Sequence, residues 1–327
     1  MEKILMPKFL IILCENLGDG VCTTVAIRLL RDKFPAATID ALAINRIAEE
    51  VVENNPDFNQ VYTVDKVEDL VEFAKAYTHH LVLIPTPQAM ALAEKLQQAI
   101  IHAQAPKPAH LREVGVALIE KLFPEPATKV SSHYFLYPQE AHRVSIKEKL
   151  KLAGATFSPE ERLIACHIGC NKAAKRALKL SFWKRKMASH RTWPFKRFYQ
   201  LVSHYRKYYP NVRWVMTGSL GEQAIMKKYF KRRDDLIDLT AQTSILELAA
   251  LMEYCHVFLS GDTGPMHVAG TSKIPMVSLF ASTAPSVSGP WPVRDTMQFL
   301  VGKNRKGLGD ISQISVKAVD EAIRKLL

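Results

Sequence analysis

No apolar run in this chain approaches the roughly 18–20 residues that a membrane-spanning helix needs. The run nearest the start, Phe9-Leu10-Ile11-Ile12-Leu13-Cys14, is short and is followed at once by Glu15-Asn16. It lacks a small-residue cleavage site, so a first β-strand is expected there rather than a signal peptide, and cytoplasm is the expected compartment. Cysteine is scarce, with five residues at 14, 22, 166, 170 and 255. An odd number without regular spacing argues against a disulfide framework. Cys166-His167-x-x-Cys170 could begin a metal site, but no second cluster completes four ligands. Cys14 and Cys22 read as small buried hydrophobes rather than as a reactive pair. Acids are absent from a long stretch: between Arg162 and Gly221 there is no Asp or Glu, against fourteen Lys or Arg. That stretch carries a formal +14, more than the +12 of the whole chain.

What is present suits a soluble globular protein. The 327 residues are 48% hydrophobic, with 14 Gly and 18 Pro, enough for two domains that each bury a core. Short apolar runs alternate with amphipathic segments in two halves, the pattern of doubly wound parallel sheets. In the first half strands are expected near 9–14, 38–43, 61–64 and 80–84. Helices are expected at 20–33, 46–54, 67–76, 90–102 and 114–122. The second half restarts with a strand at 163–168. Strands near 212–216, 236–239, 255–259 and 275–280 follow, with helices between them, and 286–291 reads as a Pro-rich loop. The boundary is expected near Gly154, giving domains 1–153 and 154–327. The amphipathic end, Val316–Leu327, could cross back over the first domain.

Ser260-Gly261-Asp262-Thr263-Gly264-Pro265-Met266-His267-Val268-Ala269 is the most informative segment. It follows the strand-like Val257-Phe258-Leu259 and reads as strand, turn and first helical turn, with Thr263 as N-cap and Pro265 tolerated just after it. Such a junction offers N–H donors to a phosphate. Asp262 and His267 flank it. Alone, Asp-Thr-Gly is an ordinary capped turn. Three further segments stand in order along the chain: Asn16-Leu17-Gly18-Asp19-Gly20-Val21 leading to Thr23-Thr24, Trp193-Pro194 before Phe198-Tyr199, and Thr217-Gly218-Ser219 with Glu222.

Together these four segments resemble the ADP-heptose:lipopolysaccharide heptosyltransferases, glycosyltransferase family 9. The resemblance implies the α/β GT-B type of fold, two facing doubly wound Rossmann-like domains with a central cleft. It implies an N-terminal acceptor-binding domain and a C-terminal nucleotide-sugar-binding domain. It also implies transfer of a heptose from ADP-heptose to a lipopolysaccharide inner-core acceptor, Kdo-lipid A or a core heptose, with inversion. Asp19 then takes the role of general base. Donor contacts fall on Gly169, Cys170, Arg191, Thr217, Gly218, Ser219, Glu222, Asp262, Thr263, Gly264 and His267. Arg191 stands about where relatives have a phosphate-contacting Lys, and its planar fork suits a diphosphate. Glu222 could bind ribose, or could simply be an acid in a helix's first turn. Acceptor contacts are expected from Gly18 and Gly20, and from Lys184, Arg185 and Lys186 in the basic insert 171–191.

No Asp-x-Asp motif occurs, so no metal and no cofactor beyond the donor are expected. The expected partners are the ADP-sugar donor, a lipopolysaccharide precursor and the anionic inner face of the inner membrane, with the protein peripheral there. Two other classes stay open. One is a transferase of the same fold using another nucleotide sugar. The other is a non-catalytic protein that docks on anionic glycolipid or nucleic acid through the basic insert.

Overall fold

In this computed structural model residues 6–104, 110–169, 191–230, 233 and 235–327 are described. They divide into two compact units, Met1–Tyr137 and Pro138–Leu327. The first unit runs β1 (Lys8–Ile12), α1 (Leu17–Lys33), β2 (Thr38–Ala43), α2 (Arg46–Val52) and β3 (Gln60–Thr63). It continues through α3 (Leu70–Ala74), β4 (His79–Val82), α4 (Pro87–Lys95), β5 (Ile100–His102) and α5 (Leu111–Leu122). All neighbouring strands are parallel, in the order β3-β2-β1-β4-β5. The central strand β1 is apolar along its length because helices cover both faces of such a sheet. Phe9 to Ile12 are accordingly buried. Leu10, Ile12, Leu42 and Val82 meet Ala89, Leu92 and Ala93 of α4 in one core.

The second unit opens with α6 (Glu140–Leu152) and β6 (Arg162–His167), then α7 (Phe195–Tyr208), β7 (Val212–Thr217), α8 (Leu220–Tyr229) and β8 (Leu236–Asp238). After these come α9 (Ile245–Leu251), β9 (Val257–Gly261), α10 (Gly264–Gly270), β10 (Met276–Phe280), α11 (Pro285–Ser288), β11 (Met297–Val301) and α12 (Val316–Arg324). Its sheet is again parallel, in the order β11-β10-β9-β6-β7-β8. Ile164, Cys166, Trp214, Leu259 and Leu279 pack under Trp193, Phe198 and Tyr205 and under Val319 and Ile323. Trp193 is fully buried and donates its indole N–H to the Ile314 carbonyl at 2.9 Å. The Trp-Pro helix start is thus a packing anchor for the chain's last turns.

Doubly wound α/β sheets in two successive units match the expected fold class. In each sheet the strand order reverses beside the unit's first strand, β1 or β6. Loops at such a reversal open the crevice in which ligands of these sheets bind. Asp19 follows β1, Gly169 follows β6, and Asp262 follows β9, the other strand at the second reversal.

Three sequence expectations change. The helix expected over 90–102 ends at Lys95, and β5 follows it; Gln97 turns the chain with a φ of +52°. The polar segment before Gly154 is helix α6, held to the second unit by side-chain bonds as well as by the buried Ile146 and Leu150. Arg143 pairs with Glu253 at 2.9 Å, and Ser145 and Lys149 both bond Glu247 at 2.6 Å. The chain therefore divides after Tyr137, not near 153. The loop expected at 286–291 contains the single turn α11. The last helix, α12, belongs to the second unit, with Val319 and Ile323 fully buried in its core.

Candidate functional site

Asp19 occupies the third position of α1, where a carboxylate suits the helix dipole. Asn16 stands at the N-cap, yet its amide donates to Asp19 Oδ2 at 3.0 Å instead of capping the helix. The carboxylate is half-buried, neither sealed off nor fully in water. Beside it, Glu15 accepts a short hydrogen bond from Thr86, and its carbonyl accepts from Asn45 at 3.3 Å. Burial pushes the Cys14 thiol far up, and the Asp19 and Glu15 charges add to that. Burial likewise pushes Cys22 up to about 12. Both are inert small hydrophobes, as read from the sequence. Gly20 is not needed for space, since an added Cβ would meet Val51 at an ordinary 3.4 Å. Gly18 lies in the same first turn.

In the second unit Gly261 ends β9 because a side chain there would overlap the Arg191 carbonyl. That close approach brings the Arg191 guanidinium to Asp262, Nε to Oδ2 at 3.5 Å. Asp262 is buried, and Ser288 donates to its Oδ1 at 3.4 Å. Burial raises its pKa, while Arg191, Thr283 and Ser288 pull the other way. Arg191 is half-exposed, so its charge is shared between Asp262 and whatever approaches from solvent. Thr263 stands at the N-cap of α10 as expected, but its hydroxyl makes no cap bond and turns back toward the Gly261 carbonyl at 3.4 Å. Gly264 opens the helix, and His267 is buried within it.

Glu222 lies at the third position of α8 in a capping box. Its Oε2 accepts from the Ser219 N–H at 2.9 Å and from the Ser219 hydroxyl at 2.5 Å. The side chain is buried at 2% exposure. Two glycines make the room: a Cβ on Gly169 would overlap the Glu222 carboxylate, and one on Gly218 would overlap its Cβ. Gly218 also has a φ of +155°. The tertiary packing, not the cap alone, therefore requires both glycines.

The sequence offers His167 only as part of a metal pair, and the sheet gives it a different setting. In register across the sheet, Thr217, His167, Ser260 and Ser278 stand side by side on β7, β6, β9 and β10, and all four are buried. Burial holds the His167 imidazole below its ordinary pKa, opposed by the Glu222 charge and a Thr217 backbone hydrogen bond. His167 Nδ1 and the Ser260 and Ser278 hydroxyls have no partner among the described residues. The available signal was a polar residue at the same level of several apolar strands.

The sheet thus brings two groups to its carboxyl edge. Gly169, Thr217, Gly218, Ser219 and Glu222 form one, and Arg191, Asp262 and Thr263 the other, with His167 on the strand between. Two strand spacings, about 10 Å, separate the ends of β7 and β9. That span lets one ligand reach both groups with a polar end and a phosphate end. Cys170, Lys184, Arg185 and Lys186 lie outside the described residues. Cys166 is buried in the core, and no group of three or more metal-ligating side chains occurs among the described residues.

Residues 128–308 match glycosyltransferase family 9 (heptosyltransferase). The chain is 22% identical over 314 residues to lipopolysaccharide heptosyltransferase 3 of Escherichia coli (strain K12), covering 88% of this chain and 86% of that protein. Among solved structures it resembles the glycosyl transferase family 9 protein of Veillonella parvula, with a TM-score of 0.78 and 19% identity, covering 98% of this chain and 97% of the other. E. coli ADP-heptose lps heptosyltransferase II gives a TM-score of 0.70 at 17% identity, covering 98% of each chain. The likeness to both structures is of the fold, two parallel sheets with flanking helices in the GT-B manner. The family match spans more than half of the chain, so the protein is a glycosyltransferase and belongs to family 9, the heptosyltransferases.

Proposed function

We infer that this chain moves a heptose from ADP-heptose to a lipopolysaccharide inner-core acceptor. The observation that carries the reading is the buried Asp262 paired with Arg191 at the reversal point of the second sheet, about two strand spacings from buried Glu222. The donor's sugar and diphosphate would lie by Arg191, Asp262, Thr263, Gly264 and His267. Its nucleoside would reach Gly169 and the Thr217-Gly218-Ser219 turn, with Glu222 accepting from ribose hydroxyls. Cys170 belongs to the same loop as Gly169. The relative whose printed name includes ADP-heptose supports the choice of donor.

The first unit would bind the acceptor through the Gly18 and Gly20 turn. Its hydroxyl attacks the anomeric carbon while the bond from that carbon to the diphosphate breaks on the opposite face, so configuration inverts. Asp19 takes the hydroxyl proton, and ADP leaves with the bonding electron pair. A half-buried carboxylate at a strand's carboxyl end is a suitable base. Arg191 meets the charge growing on the leaving diphosphate, so the reaction needs no divalent ion in this reading. Lys184, Arg185 and Lys186 would touch an anionic acceptor or the membrane that carries it. The work is placed in the cytoplasm, at the inner face of the inner membrane.

The test is transfer from ADP-heptose to Kdo-lipid A, read as a heptose-sized mass gain. Asp19→Asn should lower turnover by about 10²–10⁴-fold with donor binding kept. Equal turnover in the variant would remove Asp19 from the chemistry. ADP should raise the melting temperature more than UDP or GDP does, and the reverse order would favour another nucleotide sugar. Activity lost in EDTA and restored by magnesium would overturn the metal-free mechanism.

A further inference from the structure

Helices α7 and α8 carry an outer face that the transfer chemistry leaves unused. α7 has Lys196, Arg197, Arg206 and Lys207 and no acid, and the last turn of α8 adds Lys227 and Lys228. Its buried stripe is Phe198, Leu201, Val202 and Tyr205, so helical spacing turns Lys196 and Lys207 outward. Tyrosines stand among the cations, with Tyr199 and Tyr229 each 42% exposed and Tyr208 57%. The two helices form one surface, because Phe195 meets Tyr229 at 4.9 Å between ring centres and Tyr199 meets Phe230 at 6.0 Å. Arg233 lies 5.2 Å over the Tyr199 ring and Lys228 lies 5.3 Å over Tyr229. Among the described residues the acids at the borders are paired. Asp235 bonds Arg233 and faces Arg206 at 3.6 Å, Asp320 bonds Arg324, and Glu321 faces Lys317.

We propose that this α7–α8 face docks on an anionic phospholipid surface. It rests on the reading of the acceptor as a membrane glycolipid, which gives a docked enzyme its substrate. Charge complementarity argues for the occupant: the face presents cations of one sign, and each cation near an anionic bilayer adds about fivefold in partition. The aromatic residues argue for the same occupant. A tyrosine with an apolar ring and an outward hydroxyl suits the headgroup level of a bilayer. Nucleic acid would instead need open ring faces for base stacking. Here Arg233 and Phe230 crowd the Tyr199 ring, and Lys228 and Phe195 crowd that of Tyr229.

The experiment is co-sedimentation of the full chain with vesicles of phosphatidylcholine alone, or of phosphatidylcholine mixed with phosphatidylglycerol. The same chain carrying Lys196→Glu, Lys207→Glu, Lys227→Glu and Lys228→Glu is compared. Wild type should sediment with the mixed vesicles at low salt, leave them at high salt, and ignore the neutral ones. The variant should lose about two to three orders of magnitude of partition at an unchanged melting temperature. The four lysines changed to Gln give a milder set with a smaller loss, should charge reversal disturb folding. Equal sedimentation of variant and wild type, equal binding to neutral vesicles, or a loss produced only by changing Lys184, Arg185 and Lys186 would overturn the proposal. Tighter binding to a single-stranded RNA oligonucleotide than to vesicles would also overturn it. Transfer to a detergent-dispersed acceptor, measured in parallel, separates the two readings. Wild type without transfer counts against the proposed reaction alone, and a variant that transfers in detergent but no longer sediments supports the docking face.

Discussion

Two glutamates of the second unit occupy the same place in the same local motif and have different surroundings. Ser219-x-x-Glu222 opens α8 and Ser244-x-x-Glu247 opens α9, each as a reciprocal capping box. Glu247 goes on to bond Lys149 and Ser145 of α6, so it fastens one helix to another. Glu222 instead sits between Gly169 and Gly218 at the carboxyl edge of the sheet, its charge beside His167. The sequence motif is a helix start in both cases. The tertiary neighbours decide which carboxylate rivets two helices together and which lies buried at the sheet's carboxyl edge, where the donor is proposed to bind.

Breaking the glycine nest should have the largest effect. Gly218→Ala puts a Cβ into Glu222 from a backbone conformation that side chains rarely adopt. A loss of about 2–4 kcal/mol is expected in urea unfolding, from overlap and backbone strain together. Gly169→Ala meets the end of the Glu222 side chain rather than its root, so it should cost less stability and mainly displace the carboxylate. Donor affinity, followed by ADP titration, should then fall about tenfold or more while unfolding changes by only about 1 kcal/mol. A donor affinity equal to wild type in Gly169→Ala would take Glu222 out of the binding site.

The next effect sharpens the contrast between the two acids. Glu247→Ala removes a cap, takes the acceptor from Ser145 and leaves Lys149 only the Gln242 carbonyl, for about 2–3 kcal/mol. Its steady-state kinetics at saturating donor should match wild type. Glu222→Ala removes the same cap for about 1 kcal/mol and should raise the donor KM about tenfold. If both variants change kinetics alike, the two carboxylates share one role and the distinction fails.

How much of this was legible follows from where each signal lies. β1, β9 and the helices after them were readable because an apolar run, a Gly-Asp or Asp-Thr-Gly turn and an amphipathic stretch stand in series. β5 was hidden because Ile100 and Ile101 continue the apolar spacing of α4, and the break at Gln97 uses neither Gly nor Pro. β11 was missed as an edge strand of only five residues, half-buried through most of its length. Helix α6 has two buried residues, Ile146 and Leu150, so little periodicity betrays it; part of its attachment is made by side-chain bonds with partners about a hundred positions away. Asp19, Asp262 and Glu222 were legible as motif members. The overlap of Gly261 with Arg191, and the alignment of His167 with Ser260 and Ser278, depend on strand order, which no local window contains.

The smallest expected effect is the pH dependence of stability that the riveting acid contributes. Burial works against ionisation of Glu247, yet hydrogen bonds from Lys149, Ser145 and the Ser244 N–H outweigh it and hold the carboxyl below its ordinary 4.5. A carboxylate whose pKa is lowered by folding adds stability that is fully present above the unfolded-state value. That stability fades as pH falls through the folded-state value. Stability should therefore drop on acidification through this window, and part of the drop should belong to Glu247. Glu247→Gln isolates that part. Near neutral pH the variant should be less stable by about 1–2 kcal/mol. The gap should narrow as both chains are unfolded at successively lower pH, because the wild-type carboxyl becomes neutral like the amide. A gap that stays constant into the acid range would mean that the Lys149 contact holds α6 by packing rather than by charge, and Glu247 would then differ from Glu222 in position alone.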